Sequence, residues 1–172
     1  MFEDLLQHQA FASEFRHTNN QRGIQVCFNW ARFLSERWPI ELVRLYNIAE
    51  LSRCFLPWYL GPAGREVQYA DQCAKPISLP ELPSAFASLR HDHQTGIQDY
   101  VRKFQASSGP ICFAAPTYLL PGNRYLGMDG NHRLAALMLA NRTFEVTLCN
   151  VRGPLEANCL LDLIHWQAGT HA

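Results

Sequence analysis

The sequence has no excess of charge of either sign, because 15 lysine and arginine residues balance 15 aspartate and glutamate residues. A balanced charge gives the chain no overall electrostatic attraction toward nucleic acid or anionic membranes. The chain also lacks the run of about 18 apolar residues that a membrane helix needs. Its start, MFEDLLQHQAF, has neither the basic nor the apolar part of a signal peptide. We therefore expect a cytoplasmic protein whose partners include neither membranes nor nucleic acid.

Several motifs of well-known catalytic and metal sites are missing. No two of the six cysteines form a CxxC pair, which argues against a zinc ribbon or a thioredoxin-like site. Neither a GxxxxGK[ST] phosphate loop nor a GxSxG nucleophile motif occurs. Some cysteines lie in apolar runs, and we expect all six to be free, reduced thiols, because disulfides are rare in the cytosol.

The first half of the chain gives an uneven secondary-structure pattern. Apolar spacing predicts amphipathic helices at 2–16 and 21–37, whereas residues 40–48 fit either a helix or a strand. Residues 56–64 are rich in turn formers and aromatic side chains. Three prolines within residues 73–84 predict a loop or an extended connection rather than a long regular element.

The second half alternates helices and strands more clearly. The predicted elements are a helix at 94–106, strands at 111–119 and 124–128 joined as a hairpin, a helix over 134–141, a strand at 144–151 and a closing helix at 155–167. With 172 residues, 48% of them hydrophobic, the chain is long enough for one sizeable core. We predict an α+β fold with a small mixed sheet, surrounding helices and an extra N-terminal helical layer.

A polar segment, Asp129-Gly130-Asn131-His132-Arg133, lies where a predicted strand ends and a helix begins. Glycine permits a tight turn and a close backbone approach. The first N–H groups of a helix are unpaired, and its dipole favours an anion there. Arginine at such a position opposes the dipole, but its fork of donors suits phosphate or carboxylate. The pattern predicts an anion-binding site.

Purely structural roles are an alternative for the same residues. Asp129 or Asn131 could cap the helix. Arg133 could pair with an internal carboxylate, and His132 could be a hydrogen-bonded histidine of the core. The local pattern leaves both interpretations open.

The segment GMDGNHRLAALMLANRTFEVTLCNV resembles the central box of the ParB/sulfiredoxin-like superfamily. Members of that superfamily have a strand ending in D-G or G-G, a helix that opens with a key arginine, an alanine-rich helix and a closing strand. The resemblance covers residues 93–152 and extends more weakly to residues 40–51. On this basis we predict a single domain over 1–172, whose family core, 39–152, follows an N-terminal helical extension and precedes a C-terminal helix at 153–172.

The resemblance implies a nucleotide site in the Asp129–Arg133 turn. Gly130, His132 and Arg133 would face phosphate, and Asn131 would donate to phosphate or substrate. Asp129 would orient the turn or act on a metal ion or a hydroxyl, so that Asp129 and His132 are the candidate catalytic residues. The implied activity is that of a small phosphotransferase or nucleotide hydrolase, with ATP or another nucleotide and with Mg²⁺ shielding the phosphates.

Departures from the family pattern narrow this expectation. Asn131 stands where sulfiredoxin-like proteins have their catalytic cysteine, which argues against sulfinic acid reduction. The chain ends at residue 172, too soon after the last predicted strand for the DNA-binding region of chromosome-partitioning members. Serine-kinase-like members need an acidic base elsewhere, for which Glu41 and Glu50 are both candidates.

Other functions are kept as alternatives. The chain could be an inactive partner-binding module, such as an inhibitor, immunity or adaptor protein, with Trp58 and the N-terminal helices forming the interface. A nuclease is a weaker alternative, because the charge balance disfavours it. His91 and His93 could hold a metal ion, but no third ligand is evident, so we predict a surface loop or a contribution of His93 to the nucleotide pocket. We predict no dedicated metal site.

Overall fold

The computed structural model describes residues 3–16, 26–71 and 73–166. The α-helices are α1 (His8–Phe15), α2 (Trp30–Glu36), α3 (Ile48–Leu51), α4 (Leu82–Ala85), α5 (His91–Ala106) and α6 (Asn131–Ala140). The strands are β1 (Ile40–Leu45), β2 (Cys54–Leu60), β3 (Glu66–Val67), β4 (Lys75–Ser78), β5 (Ile111–Leu120), β6 (Arg124–Gly127) and β7 (Phe144–Val151). Short 3₁₀ helices cover Glu3–Leu6, Leu79–Glu81, Phe86–Ser88 and Leu161–His165.

The described strands form one mixed sheet in the order β1-β7-β5-β6-β2-β3, and β4 also pairs with β2. β5 runs parallel to β7, and β2 runs parallel to β6. The remaining pairs are antiparallel, including the predicted β5–β6 hairpin. The predicted α+β fold with a mixed sheet is thereby confirmed.

Helices cover both faces of the sheet because the central strands are apolar on both sides. On β7, Val146 and Leu148 belong to one core, whereas Cys149 and Val151 belong to the other. This alternation follows from the two-residue period of a strand. The first core includes residues of α4, α5 and α6. The second includes α1, α2 and the C-terminal 3₁₀ helix, so that the N-terminal helices form a separate layer.

The predicted N-terminal helices are shorter than their apolar patterns suggested. The one expected at 2–16 is interrupted at Gln7, between a 3₁₀ helix and α1. Of the one expected at 21–37, residues 21–25 lie outside the described residues, residues 26–29 are not helical, and helix α2 covers Trp30–Glu36. Helix α2 starts there because the Asn29 side chain accepts a hydrogen bond from the Arg32 N–H at 3.0 Å, which caps the helix.

Two segments predicted without regular structure contain strands. Within 56–64, the residues up to Leu60 belong to β2, and only the remainder forms a turn. Pro57 is tolerated because it lies where the register between β2 and β4 shifts, so its missing N–H breaks no ladder bond there. Within 73–84, the four-residue strand β4 agrees with the predicted extended connection, and the short helical turns that follow it leave no long regular element there, as predicted. Residues 40–48, which fitted either structure, form β1 and then the start of α3.

The closing helix predicted at 155–167 was also too long. The structure has a 3₁₀ helix at Leu161–His165, preceded by a single bridge between Phe28 and Leu160. Residues 167–172 lie outside the described residues. Among the helices in the described part of the chain, none has the length and apolar character to cross a membrane. All six cysteines are unpaired.

Candidate functional site

The turn between β6 and α6 has the conformation that its sequence predicts. Gly130 adopts a left-handed conformation, with φ at 72°, and its N–H donates to Asp129 Oδ1 at 2.6 Å. A Cβ atom at this position would also lie 3.1 Å from Nη2 of Arg133. Only glycine fits here without strain, so Gly130 sets both the direction of α6 and the space beside Arg133.

The capping role considered as an alternative for Asp129 or Asn131 is not what the structure shows. The N-cap position of α6 is Gly130, which has no side chain to accept a hydrogen bond. Asn131 is the first residue inside the helix, and Asp129 bonds the Gly130 N–H instead. The N–H groups of the first turn of α6 therefore remain available to a ligand.

The five residues of the turn line one cavity of about 1020 Å³. Its walls come from several elements, so residues far apart in sequence meet there. The other side chains used below are Trp58 and Tyr59 from β2, Glu66 from β3, His93 from α5, Phe113 from β5 and Asp162 from the C-terminal 3₁₀ helix. A cavity of this size can hold a nucleotide-sized ligand.

Arg133 forms no ion pair with any residue that the structure describes. Its guanidinium lies 4.8 Å from the centre of the Phe113 ring. A cation–π contact of this kind orients the guanidinium and leaves the N–H donors in the guanidinium plane unused. The internal carboxylate considered as a partner of Arg133 is therefore not found, and the donors are free for an anion.

Asn131 is held by its contact with the end of β6. Its Oδ1 atom is buried without a hydrogen-bond partner, and a Cβ atom at Gly127 would lie only 2.1 Å from it. Gly127 thus makes the room that the amide occupies. Because Oδ1 is enclosed, Nδ2 is the amide atom that can reach a ligand in the cavity, where it can only donate.

His132 lies in a closely packed pair with His93. His132 Nε2 is 3.1 Å from His93 Nδ1, and the Trp58 ring lies 4.5 Å from the His93 ring and 5.2 Å from the His132 ring. Burial lowers the pKa of His132, and so does the positive charge that His93 carries when it is protonated. His132 is consequently neutral at pH 7 and can accept a proton.

Glu66 continues this pair into a chain of three side chains. Its Oε1 is 3.3 Å from His93 Nε2, and its Oε2 accepts the backbone N–H of Arg90 at 2.6 Å. Burial tends to raise the pKa of Glu66, but the hydrogen bonds from His93 and Arg90 outweigh it and lower the pKa overall. Glu66 is therefore an anion at neutral pH. It was not predicted, because no local pattern marks a glutamate on a two-residue strand.

A second carboxylic acid, Asp162, lines the same cavity. Asp162 is buried and accepts a hydrogen bond from the Tyr59 hydroxyl. Burial raises the pKa of Asp162 despite that bond, and burial also raises the pKa of Tyr59. Neither residue was predicted as part of the site, since the contact joins β2 to a segment about 100 residues later, a separation at which sequence patterns carry no signal.

Other residues singled out from the sequence lie elsewhere. Glu50 forms the capping box of α3 with Asn47, and Glu41 is 3.7 Å from Arg152 on the outside of β1. Neither glutamate lines the cavity. His91 is exposed at the start of α5, so the predicted surface loop is the first turn of a helix.

The structure also bears on Trp58, His93 and the possible metal site. Trp58 is buried in β2 and not on a loop, so it cannot form the partner surface considered above. His93 lies on α5 and lines the cavity, so the alternative of a surface loop is wrong for this residue. Over residues 3–16, 26–71 and 73–166, no group of three or more His, Cys, Asp or Glu side chains is arranged to hold a metal ion.

No protein-family model matches the chain. No curated protein and no solved structure matches it either. The fold and the site therefore define only a class: an α+β protein with a polar cavity at the N-terminus of α6, in which an unpaired arginine lies near a histidine pair.

Proposed function

We propose that this protein is a nucleotide-dependent enzyme, a small phosphotransferase or nucleotide hydrolase, whose phosphate site is the Asp129–Arg133 turn. The observation that carries the proposal is the unpaired guanidinium of Arg133 in a cavity at the N-terminus of α6. An unpaired, half-buried cation is unfavourable by itself, and a phosphate would both pair with it and accept several of its hydrogen bonds.

The surroundings of Arg133 suit phosphate for three further reasons. Helix α6 has 10 residues, and its dipole and free N–H groups favour an anion at the end where Gly130 lies. The absent side chain of Gly130 lets an oxygen approach the backbone closely. Nδ2 of Asn131 supplies a further donor. The sequence resemblance to the ParB/sulfiredoxin-like superfamily supports the same assignment.

The chemistry next to the phosphate would come from Asp129 and His132. One Asp129 oxygen accepts the Gly130 N–H, which leaves its second oxygen for a metal ion or a hydroxyl. Mg²⁺ is usually held by one or two carboxylates together with substrate phosphates and water. Asp129 fits that pattern as the carboxylate nearest the phosphate turn. His132 is neutral at pH 7 and is the candidate proton acceptor.

Nucleotide binding can be tested by thermal shift with ATP, ADP, CTP and GTP, each with and without Mg²⁺. At 100 times its dissociation constant, a ligand stabilises the fold by about 2.7 kcal/mol. We expect at least one nucleotide to raise the melting temperature of the wild type and to have little effect on Arg133→Ala. Arg102→Ala is the matched control, because Arg102 is exposed on α5 and pairs with Asp99.

Two results would contradict the proposal. One is the absence of any shift in a folded wild-type sample, which would favour a partner-binding module instead. The other is an equal shift in the wild type and in Arg133→Ala, which would place the nucleotide elsewhere. Where a shift depends on Arg133, release of phosphate or its transfer to an acceptor is the next measurement.

A further inference from the structure

Three side chains from three separate elements form a connected chain that ends in the cavity: Glu66 of β3, His93 of α5 and His132 of α6. We infer that Glu66 and His93 are positioning residues that hold His132 in its Nε2–H tautomer, so that His132 Nδ1 accepts a proton from a hydroxyl or water in the cavity. This inference deepens the proposed function and relies on it only for the identity of the ligand.

The first step is set by Glu66. As an anion it can only accept hydrogen bonds, so the nitrogen of His93 that lies 3.3 Å from it must carry the hydrogen. The second Glu66 oxygen is occupied by the Arg90 N–H at 2.6 Å, which fixes the carboxylate in place. In an uncharged His93 ring, a hydrogen on Nε2 leaves Nδ1 as the acceptor.

The position of the hydrogen on His93 then determines which nitrogen of His132 carries a hydrogen. His93 Nδ1 and His132 Nε2 are 3.1 Å apart, which is a hydrogen-bond distance, and one of the two atoms must donate. Because His93 Nδ1 is already the acceptor, the hydrogen belongs to His132 Nε2. The lone pair of His132 then lies on Nδ1.

Packing keeps the ring of His132 in this orientation. A Cβ atom at Gly96 would lie 2.8 Å from Cδ2 and 3.1 Å from Nε2 of His132, so that edge of the ring faces α5. Trp58 packs against both imidazole rings. Nδ1 is on the opposite edge of the ring, and no described residue forms a hydrogen bond with it. A ligand in the cavity that His132 lines is its available partner.

The proton transfer fits attack on phosphorus. As the hydroxyl or water oxygen forms its bond to phosphorus, its O–H bond breaks and the proton moves to His132 Nδ1. The bond from phosphorus to the leaving oxygen breaks, and that oxygen keeps the electron pair. The resulting imidazolium is stabilised through His93 by the negative charge of Glu66, in the way that a carboxylate supports a catalytic histidine elsewhere.

Nuclear magnetic resonance on ¹⁵N-labelled protein without ligand can test the tautomers directly. At pH 8, where an ordinary imidazole with a pKa of about 6.5 is uncharged, we expect one hydrogen bonded covalently to His132 Nε2 and a scalar coupling from that nitrogen to His93 Nδ1. His93→Phe keeps a ring beside Trp58 but removes the acceptor, so His132 should then populate both tautomers. His91→Phe, at an exposed position on the same helix, should leave the His132 signals unchanged.

A hydrogen found on His93 Nδ1, or on His132 Nδ1, would overturn the inference. So would identical His132 signals in the wild type and in His93→Phe. These measurements need no nucleotide, so they fail or succeed separately from the thermal-shift test of the proposed function. Where a nucleotide is turned over, His93→Phe should lower the rate constant and leave the dissociation constant within about twofold, whereas equal rates in both proteins would also contradict the inference.

Discussion

Gly96 leaves the space that the ring of His132 occupies. It lies within α5, where alanine would favour the helix by about 1 kcal/mol. However, its Cβ atom would lie 2.8 Å from the His132 ring. A glycine in the interior of a helix is therefore explained by the imidazole packed against it.

The substitution Gly96→Ala should displace the ring and weaken its hydrogen bond to His93. We expect the His132 ¹⁵N signals to move and the coupling to His93 to disappear, while nucleotide binding at Arg133 persists. Gly109→Ala is the matched control, because a Cβ atom there has no heavy atom within 4 Å. Unchanged His132 signals in Gly96→Ala would show that the packing leaves room for the methyl group.

For single residues, the sequence predicted those that are marked by their immediate neighbours in the chain. The Asp129–Arg133 turn was recognisable because a glycine between a predicted strand and a predicted helix indicates a tight turn. Glu66 could not be assigned in this way, and for His93 a place in the pocket was only one of two alternatives. Their chain with His132 exists only because β3 and the first turns of α5 and α6 meet at one cavity.

Two elements are joined by the hydrogen bond between Tyr59 of β2 and Asp162 of the C-terminal 3₁₀ helix. The pKa of Asp162 is raised by burial, so its unfolded-state pKa is the lower of the two. Below the unfolded-state value the group is protonated in both states and contributes no penalty. As the pH rises through the folded-state value, the unfolded chain binds fewer protons than the native protein, and the native protein loses stability.

Asp162→Asn should consequently raise the free energy of unfolding at pH 7 by more than at pH 4. The asparagine can still accept the hydrogen bond from Tyr59, and it carries no charge to bury. Urea denaturation at both pH values measures the difference. Asp99→Asn on α5 serves as the control, because its surface pair with Arg102 contributes little. A gain that is larger at pH 4 would contradict the assignment of the pKa shift to burial.

Most elements of the second half were predictable, including the short strand β6 after its turn signal, whereas the long helices predicted at 2–16 and 155–167 and the short elements between them were not. α5, β5 and β7 agree with the predicted segments to within a few residues. β2 was missed because Pro57 and the turn beginning at Gly61 suggest a loop. The strand forms nevertheless, because its side chains are buried in the sheet and the proline lies at a shift in register.

Over the whole molecule, the two cores share the strands β5, β6 and β7. The helical layers on the two faces therefore rest on one set of hydrogen-bonded strands. The alternation of helices and strands along the sequence was enough to predict the α+β class. The order of the strands was not predictable, because β1 pairs with β7 through contacts about 100 residues apart.

One substitution in each core should test whether the layers unfold together. Phe33→Ala in the N-terminal layer should cost about 3–5 kcal/mol, and Leu137→Ala in α6 about 2–5 kcal/mol, since both side chains are fully buried. We expect urea curves followed by circular dichroism and by tryptophan fluorescence to coincide in both variants. Separate transitions in Phe33→Ala alone would contradict the prediction of a single domain.

The position of β1 at the edge of the sheet has a consequence for synthesis on the ribosome. Its described partner in the sheet is β7, with Ile40 opposite Val151 and Leu45 opposite Val146. At about 5–20 residues per second, the nascent β1 emerges several seconds before β7 has been translated. During that interval its backbone N–H and C=O groups lack their native partner. A chaperone that covers β1 during this interval would keep these groups from pairing with another chain.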